Sequence, residues 1–136
     1  MLYNEKVPYV IRYSDPLGYV EVIWNGSLTV EQLNTGLDQL LNVLKAKQAK
    51  LLLVDISNFS STGPEAQAWV KDFYLQGLQN HSIERIARVV DPHAFGQALL
   101  NNMLLLLQSQ SSFSFCLSNF TDRGEALEWL LREVPA

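Results

Sequence analysis

The stretch Leu51-Leu52-Leu53-Val54-Asp55-Ile56-Ser57-Asn58-Phe59-Ser60-Ser61-Thr62-Gly63-Pro64 decides how the chain is read. Its first four residues are apolar without alternation, the pattern of a strand covered on both faces. Asp55 closes that run, and a polar loop is expected from Ser57 to Gly63. Pro64 then suits the first position of a helix, where its fixed φ fits and its missing N–H is no loss. A buried strand leading through a loop into a helix is the repeating unit of parallel α/β sheets.

Reading towards the N-terminus, Leu33, Leu37, Leu40, Leu41 and Leu44 recur at helical spacing, with Thr29 and Gln32 as a capping box and an end near Lys47. Gly36 weakens this helix by up to about 1 kcal/mol relative to Ala. Lys45, Lys47 and Lys50 lie where the helix ends and complement its dipole. Before it, Tyr9–Ser14 and Tyr19–Trp24 flank Asp15-Pro16-Leu17-Gly18 and read as a hairpin. Asn25-Gly26 is expected to break its second strand.

Reading onward, Ala66, Trp69, Val70, Phe73 and Tyr74 predict a second helix ending near Gly77. Ile86–Val90 reads as a third interior strand ending at Asp91-Pro92. Phe95, Leu99, Leu100, Met103, Leu104 and Leu107 mark a third helix. Phe113–Leu117 is expected as the last strand, with Cys116 as a small core residue. Asp122 and Glu125 cap a final helix through Ala126, Leu127, Leu130 and Leu131. The order β-β-α-β-α-β-α-β-α predicts an α/β fold: a mixed, mainly parallel sheet with an antiparallel N-terminal hairpin and four helices.

With 136 residues, 48% apolar and 18% charged, the chain is read as one globular domain over residues 1–136. A net charge of −4 argues against nucleic-acid binding or unaided binding to an anionic membrane. One cysteine excludes an intrachain disulfide, and two histidines far apart give no metal-ligand spacing, so no metal or cofactor is expected. The longest apolar run, Met103–Leu107, is too short to cross a bilayer, and Met1–Tyr9 holds no apolar core of signal-peptide length. A cytoplasmic location follows as the expectation.

In open α/β sheets, ligands bind beyond the carboxyl ends of the parallel strands. Three loops fall there: Asp55–Gly63, Asp91–His93 and Ser118–Asp122. Each leads into a helix N-terminus, where free amides and the dipole attract anions. Asp55, Ser57, Ser60, Ser61, Thr62, Gly63, Gln67, Asp91 and His93 make up the expected binding or switch surface. A phosphate on Ser60, Ser61 or Thr62 would gain from the helix dipole; in the plainer reading, these hydroxyls cap the helix and satisfy turn amides.

Catalytic readings rank lower. The loop has neither the glycine spacing nor the lysine of a P-loop, and no serine sits in a G-x-S-x-G elbow. A hydrolase would need Asp55, His93 and a hydroxyl to converge. The expectation is a non-enzymatic module for a protein partner. The alternative is a carrier of a small apolar or anionic, lipid-like ligand in a cavity between the third helix and the sheet. Unprotected edges also make a homodimer an expected assembly.

The chain resembles the STAS-like domains, which include anti-sigma-factor antagonists and cytoplasmic domains of sulfate transporters. It is also similar to the CRAL-TRIO lipid-binding fold. The resemblance rests on Tyr19-Val20-Glu21-Val22-Ile23-Trp24, Leu52–Phe59, Pro64-Glu65-Ala66-Gln67-Ala68-Trp69, Phe95-Gly96-Gln97 and Glu125–Leu130. It is nearest to small stand-alone bacterial members. It implies a compact mixed-sheet domain that works by binding a partner. In antagonists, an aspartate-serine-serine-glycine stretch carries the phosphorylated serine. The local match is Ser60-Ser61-Thr62-Gly63, where Ser60 replaces the aspartate and Ser61 and Thr62 take the positions of the serine pair.

Overall fold

A computed structural model describes residues 9–15, 17–60, 78, 82–91 and 115–132. Among them the elements are β1 (Tyr9–Ser14), β2 (Tyr19–Ser27), α1 (Val30–Lys47), β3 (Leu51–Ser60), β4 (Arg85–Val89), β5 (Cys116–Phe120) and α2 (Arg123–Leu131). The five strands form one sheet in the order β1-β2-β3-β4-β5. β1 pairs antiparallel with β2, and every later neighbour is parallel. The mixed sheet with its hairpin is therefore as expected. Two of the four expected helices are seen; those over Pro64–Gly77 and Phe95–Leu107 lie outside the described residues, with Trp69, Phe73 and Tyr74.

Local chemistry sets the hairpin and α1. Gly18 takes φ +73, and its amide donates to Ser14 O at 2.7 Å, closing the turn. The Thr29 hydroxyl accepts the Gln32 amide at 3.0 Å while the Gln32 side chain accepts the Thr29 amide at 3.0 Å, completing the capping box. Gln48, left-handed at φ 48, ends the helix, with Lys45 and Lys47 in its last turn.

The two sheet faces carry different cores. On the α1 face, Val20, Val22, Trp24, Leu52, Val54, Ile56 and Ile86 meet Leu33, Leu37, Leu40 and Leu44. On the α2 face a smaller cluster joins Tyr19, Leu53, Ala87 and Val89 to Ala126 and Leu130. Full burial of each large aliphatic chain contributes about 1.5–3 kcal/mol. Gly36 is explained by this packing. A Cβ there would lie 2.7 Å from the Trp24 ring, which stands against Tyr9 at 5.4 Å between centroids.

Strand boundaries in β2, β3 and β5 differ from the sequence reading by three residues or more, and β4 at Arg85–Val89 lies one residue earlier than Ile86–Val90. Asn25-Gly26 does not break β2, because Gly26 at φ +67 lets the ladder continue to Ser27↔Ser60. The expected loop from Ser57 is strand as far as Ser60. The last strand is Cys116–Phe120 instead of Phe113–Leu117. Its register, Arg85↔Cys116 to Val89↔Phe120, sets Phe120 beneath Trp129 at 5.7 Å between centroids. In this register Cys116 is exposed rather than a core residue.

Candidate functional site

The parallel register brings Asp55 and the ends of β4 and β5 to one rim. Asp55 pairs with Val89, and Val89 with Phe120. The Val90 amide then donates to Phe120 O at 2.8 Å, which leaves half-buried Asp91 just past the end of β4. Among the described residues, β3 runs on from Asp55 to Ser60 paired only to β2, so the two form an arm beyond the end of β4. Five residues at ~3.3 Å each would carry it roughly 16 Å if fully extended.

The arm starts with a β-bulge. Ile23 pairs with Asp55 and Asn25 with Asn58, so Trp24 faces two residues, Ile56 and Ser57. Bulges are uncommon between parallel strands and are over-represented beside functional sites. The extra residue reverses the side-chain alternation, and Phe59 therefore packs on the α1 face with Val54 and Ile56. Asp55 compensates the disturbed ladder: its Oδ1 accepts the Ser57 amide at 2.9 Å and the Ser57 hydroxyl at 2.6 Å. A carboxylate engaged two residues along its own chain is a backbone-shaping device. Its visible work is to hold the bulge.

Of the predicted surface, the structure thus brings Asp55, Ser57 and Asp91 to one rim and places Ser60 at the end of the arm. Ser61, Thr62, Gly63, Gln67 and His93 lie outside the described residues, as does the segment expected to cover the proposed lipid-like cavity. Among the described residues no cluster of His, Cys, Asp or Glu could hold a metal ion. No described helix is long and apolar enough to cross a membrane.

Two buried charges were missed by the sequence reading. Glu21 is 3% exposed on the α2 face. Arg123, the first residue of α2, grips it with two parallel bonds, Nε to Oε2 at 2.9 Å and Nη2 to Oε1 at 3.0 Å. The hydrogen bond to Glu21 raises the Arg123 pKa above its ordinary value, against a smaller opposing effect of burial. Arg12 on β1 approaches the same Oε1 at 3.4 Å. Arg88, 1% exposed, projects from β4 and donates from Nε to Asn119 Oδ1 at 2.7 Å on neighbouring β5. The available signal was a charge inside an apolar run: Glu21 within Tyr19–Trp24 and Arg88 within Ile86–Val90.

A five-stranded mixed sheet with an antiparallel hairpin and parallel strands ending at one bulged rim defines a small α/β domain. The model of the SpoIIAA-like family matches residues 19–131, and the chain belongs to that family. Two solved structures share the fold. An uncharacterized protein of the DUF3478 family with a SpoIIAA-like fold, from Shewanella loihica, is 19% identical with a TM-score of 0.63, over 90% of this chain and 91% of that one. An anti-sigma factor antagonist from Mycobacterium paratuberculosis is 13% identical with a TM-score of 0.58, over 96% and 98% respectively. No curated protein matches the chain.

Proposed function

We propose that this protein is a non-enzymatic regulatory module that binds a protein partner in the cytoplasm through the carboxyl rim of its sheet, as one domain over residues 1–136. The contact surface runs from Asp55 and Ser57 along the arm to Ser60, Ser61, Thr62, Gly63 and Gln67, with Asp91 and His93 beside it. Membership of the SpoIIAA-like family and the likeness to an anti-sigma factor antagonist support a partner-binding role. The observation that carries the location is the bulged extension of β2 and β3 past Val89, held by the Asp55–Ser57 bonds.

The test is affinity capture from the native cell with the wild-type chain and with an Asn58→Arg variant. Asn58 is exposed on the arm, so the substitution leaves the core untouched. A partner retained by wild type and lost by the variant is the expected result. Equal retention by both chains would place the contact elsewhere. A switch at Ser61 or Thr62 is tested separately, by phosphate transfer from cell extract to wild type and to the Ser61→Ala/Thr62→Ala double variant. Undiminished labelling of the double variant would remove the switch.

A further inference from the structure

We propose that the charged hollow on the α2 face, between the hairpin and the start of α2, is a binding site for a small phosphate-bearing anion. The hollow is lined by Arg12, Tyr13, Ser14, Tyr19, Glu21 and Arg123, encloses about 270 Å³ and opens to solvent. Pockets for drug-sized ligands run from about 300 to 1,000 Å³, so this one suits an ion or a single head group.

Its charge balance points to an anion. Arg123 alone occupies both oxygens of Glu21, and one bidentate guanidinium neutralises one carboxylate. Arg12 is then a second cation on an already neutralised carboxylate, and the cluster carries a net charge of about +1 on a chain whose net charge is −4. Arg12 meets Glu21 at 3.4 Å, longer than the 2.9 and 3.0 Å bonds of Arg123, so its hold on the carboxylate is the looser of the two. Its side chain is 53% exposed and that of Arg123 46%, leaving both reachable.

One of the two cations is also held in place. Glu21 is fixed in the sheet by pairing to both Arg12 and Leu53. Arg123 is anchored at Glu21 and lies against Tyr19. Arg123 is thus prepositioned at the hollow and loses little freedom on binding an oxyanion, and the planar guanidinium forks of Arg123 and Arg12 match phosphate better than a monatomic ion of the same charge. Ser14 stands on the same hollow and adds a hydroxyl donor.

The Nε–Hε signals of Arg12 and Arg123 in ¹H–¹⁵N spectra provide the test, with inorganic phosphate and phenyl phosphate titrated at constant ionic strength against chloride. Saturable shifts at both arginines are expected, with affinity on the order of millimolar for so exposed a site. Arg12→Gln, a substitution at a half-exposed side chain, should weaken binding roughly ten-fold, and Glu21→Gln should strengthen it by a similar factor. Shifts that stay linear, that chloride reproduces, or that keep the same affinity in Arg12→Gln would overturn the proposal. Retained phosphate affinity in Arg12→Gln does so even if Glu21→Gln fails to fold.

Discussion

The two faces of the sheet solve burial differently. Among the described residues, the α1 face carries an 18-residue helix whose leucines share a core cluster with valine, isoleucine and Trp24. Among the described residues the α2 face has a nine-residue helix and a small apolar cluster, and on its hairpin side a carboxylate lies between arginines. A long helix offers a continuous apolar stripe to the sheet. The short helix offers less, and its first residue, Arg123, reaches back to the sheet and pairs with buried Glu21. The larger apolar cluster thus lies on the α1 face, and the buried carboxylate paired to arginine lies on the α2 face.

That contrast can be broken most strongly on the α1 face. Leu40→Ala, at a side chain 1% exposed, should lower unfolding free energy by about 2–5 kcal/mol in urea denaturation. Glu21→Ala on the other face should cost less, about 1–2 kcal/mol, because Arg123 is 46% exposed and water takes over part of its solvation. A loss on the α2 face equal to that at Leu40 would contradict the contrast. The raised pKa of Arg123 fixes the pH behaviour of this pair from the arginine side. Stability from a raised group is fully present below its unfolded pKa and is lost only as pH climbs through the folded one. Both lie above ordinary buffers, so the cost of Glu21→Ala should be the same at about pH 7 and about pH 9.

Smaller effects sharpen the comparison. Gly36→Ala should destabilise by about 1 kcal/mol despite better helix propensity, since overpacking against Trp24 outweighs that gain; a rise in melting temperature would mean that the ring moves aside freely. Asp55→Ala should cost about 1 kcal/mol and speed amide exchange at Ser57, whose N–H loses its acceptor. Cys116→Ser should change stability by less than about 0.5 kcal/mol, as expected for an exposed edge residue.

Much of the site's framework was legible beforehand for a physical reason. The boundaries of α1 come from Thr29, Gln32 and leucine spacing, all within one helix length, and the structure reproduces them. Alternating strands and helices likewise imply parallel neighbours, which brings Asp55, Asp91 and the end of β5 to one rim. The boundaries that moved depend on distant partners. Ser118-Asn119 reads as loop until Arg88 supplies a donor for Asn119 from 31 positions away. Ser57–Ser60 reads as loop until β2 offers its edge past the bulge.

The amino-acid sequence alone settled what near neighbours control: the hairpin turn at Gly18, the capped helix α1, the apolar strands and the α/β class. Tertiary structure decided where the strands stop, why Gly36 must lack a side chain, and that Glu21 and Arg88 are buried. A charge in an apolar run can be buried only once a partner is in reach, and for Glu21 that partner stands 102 positions along the chain.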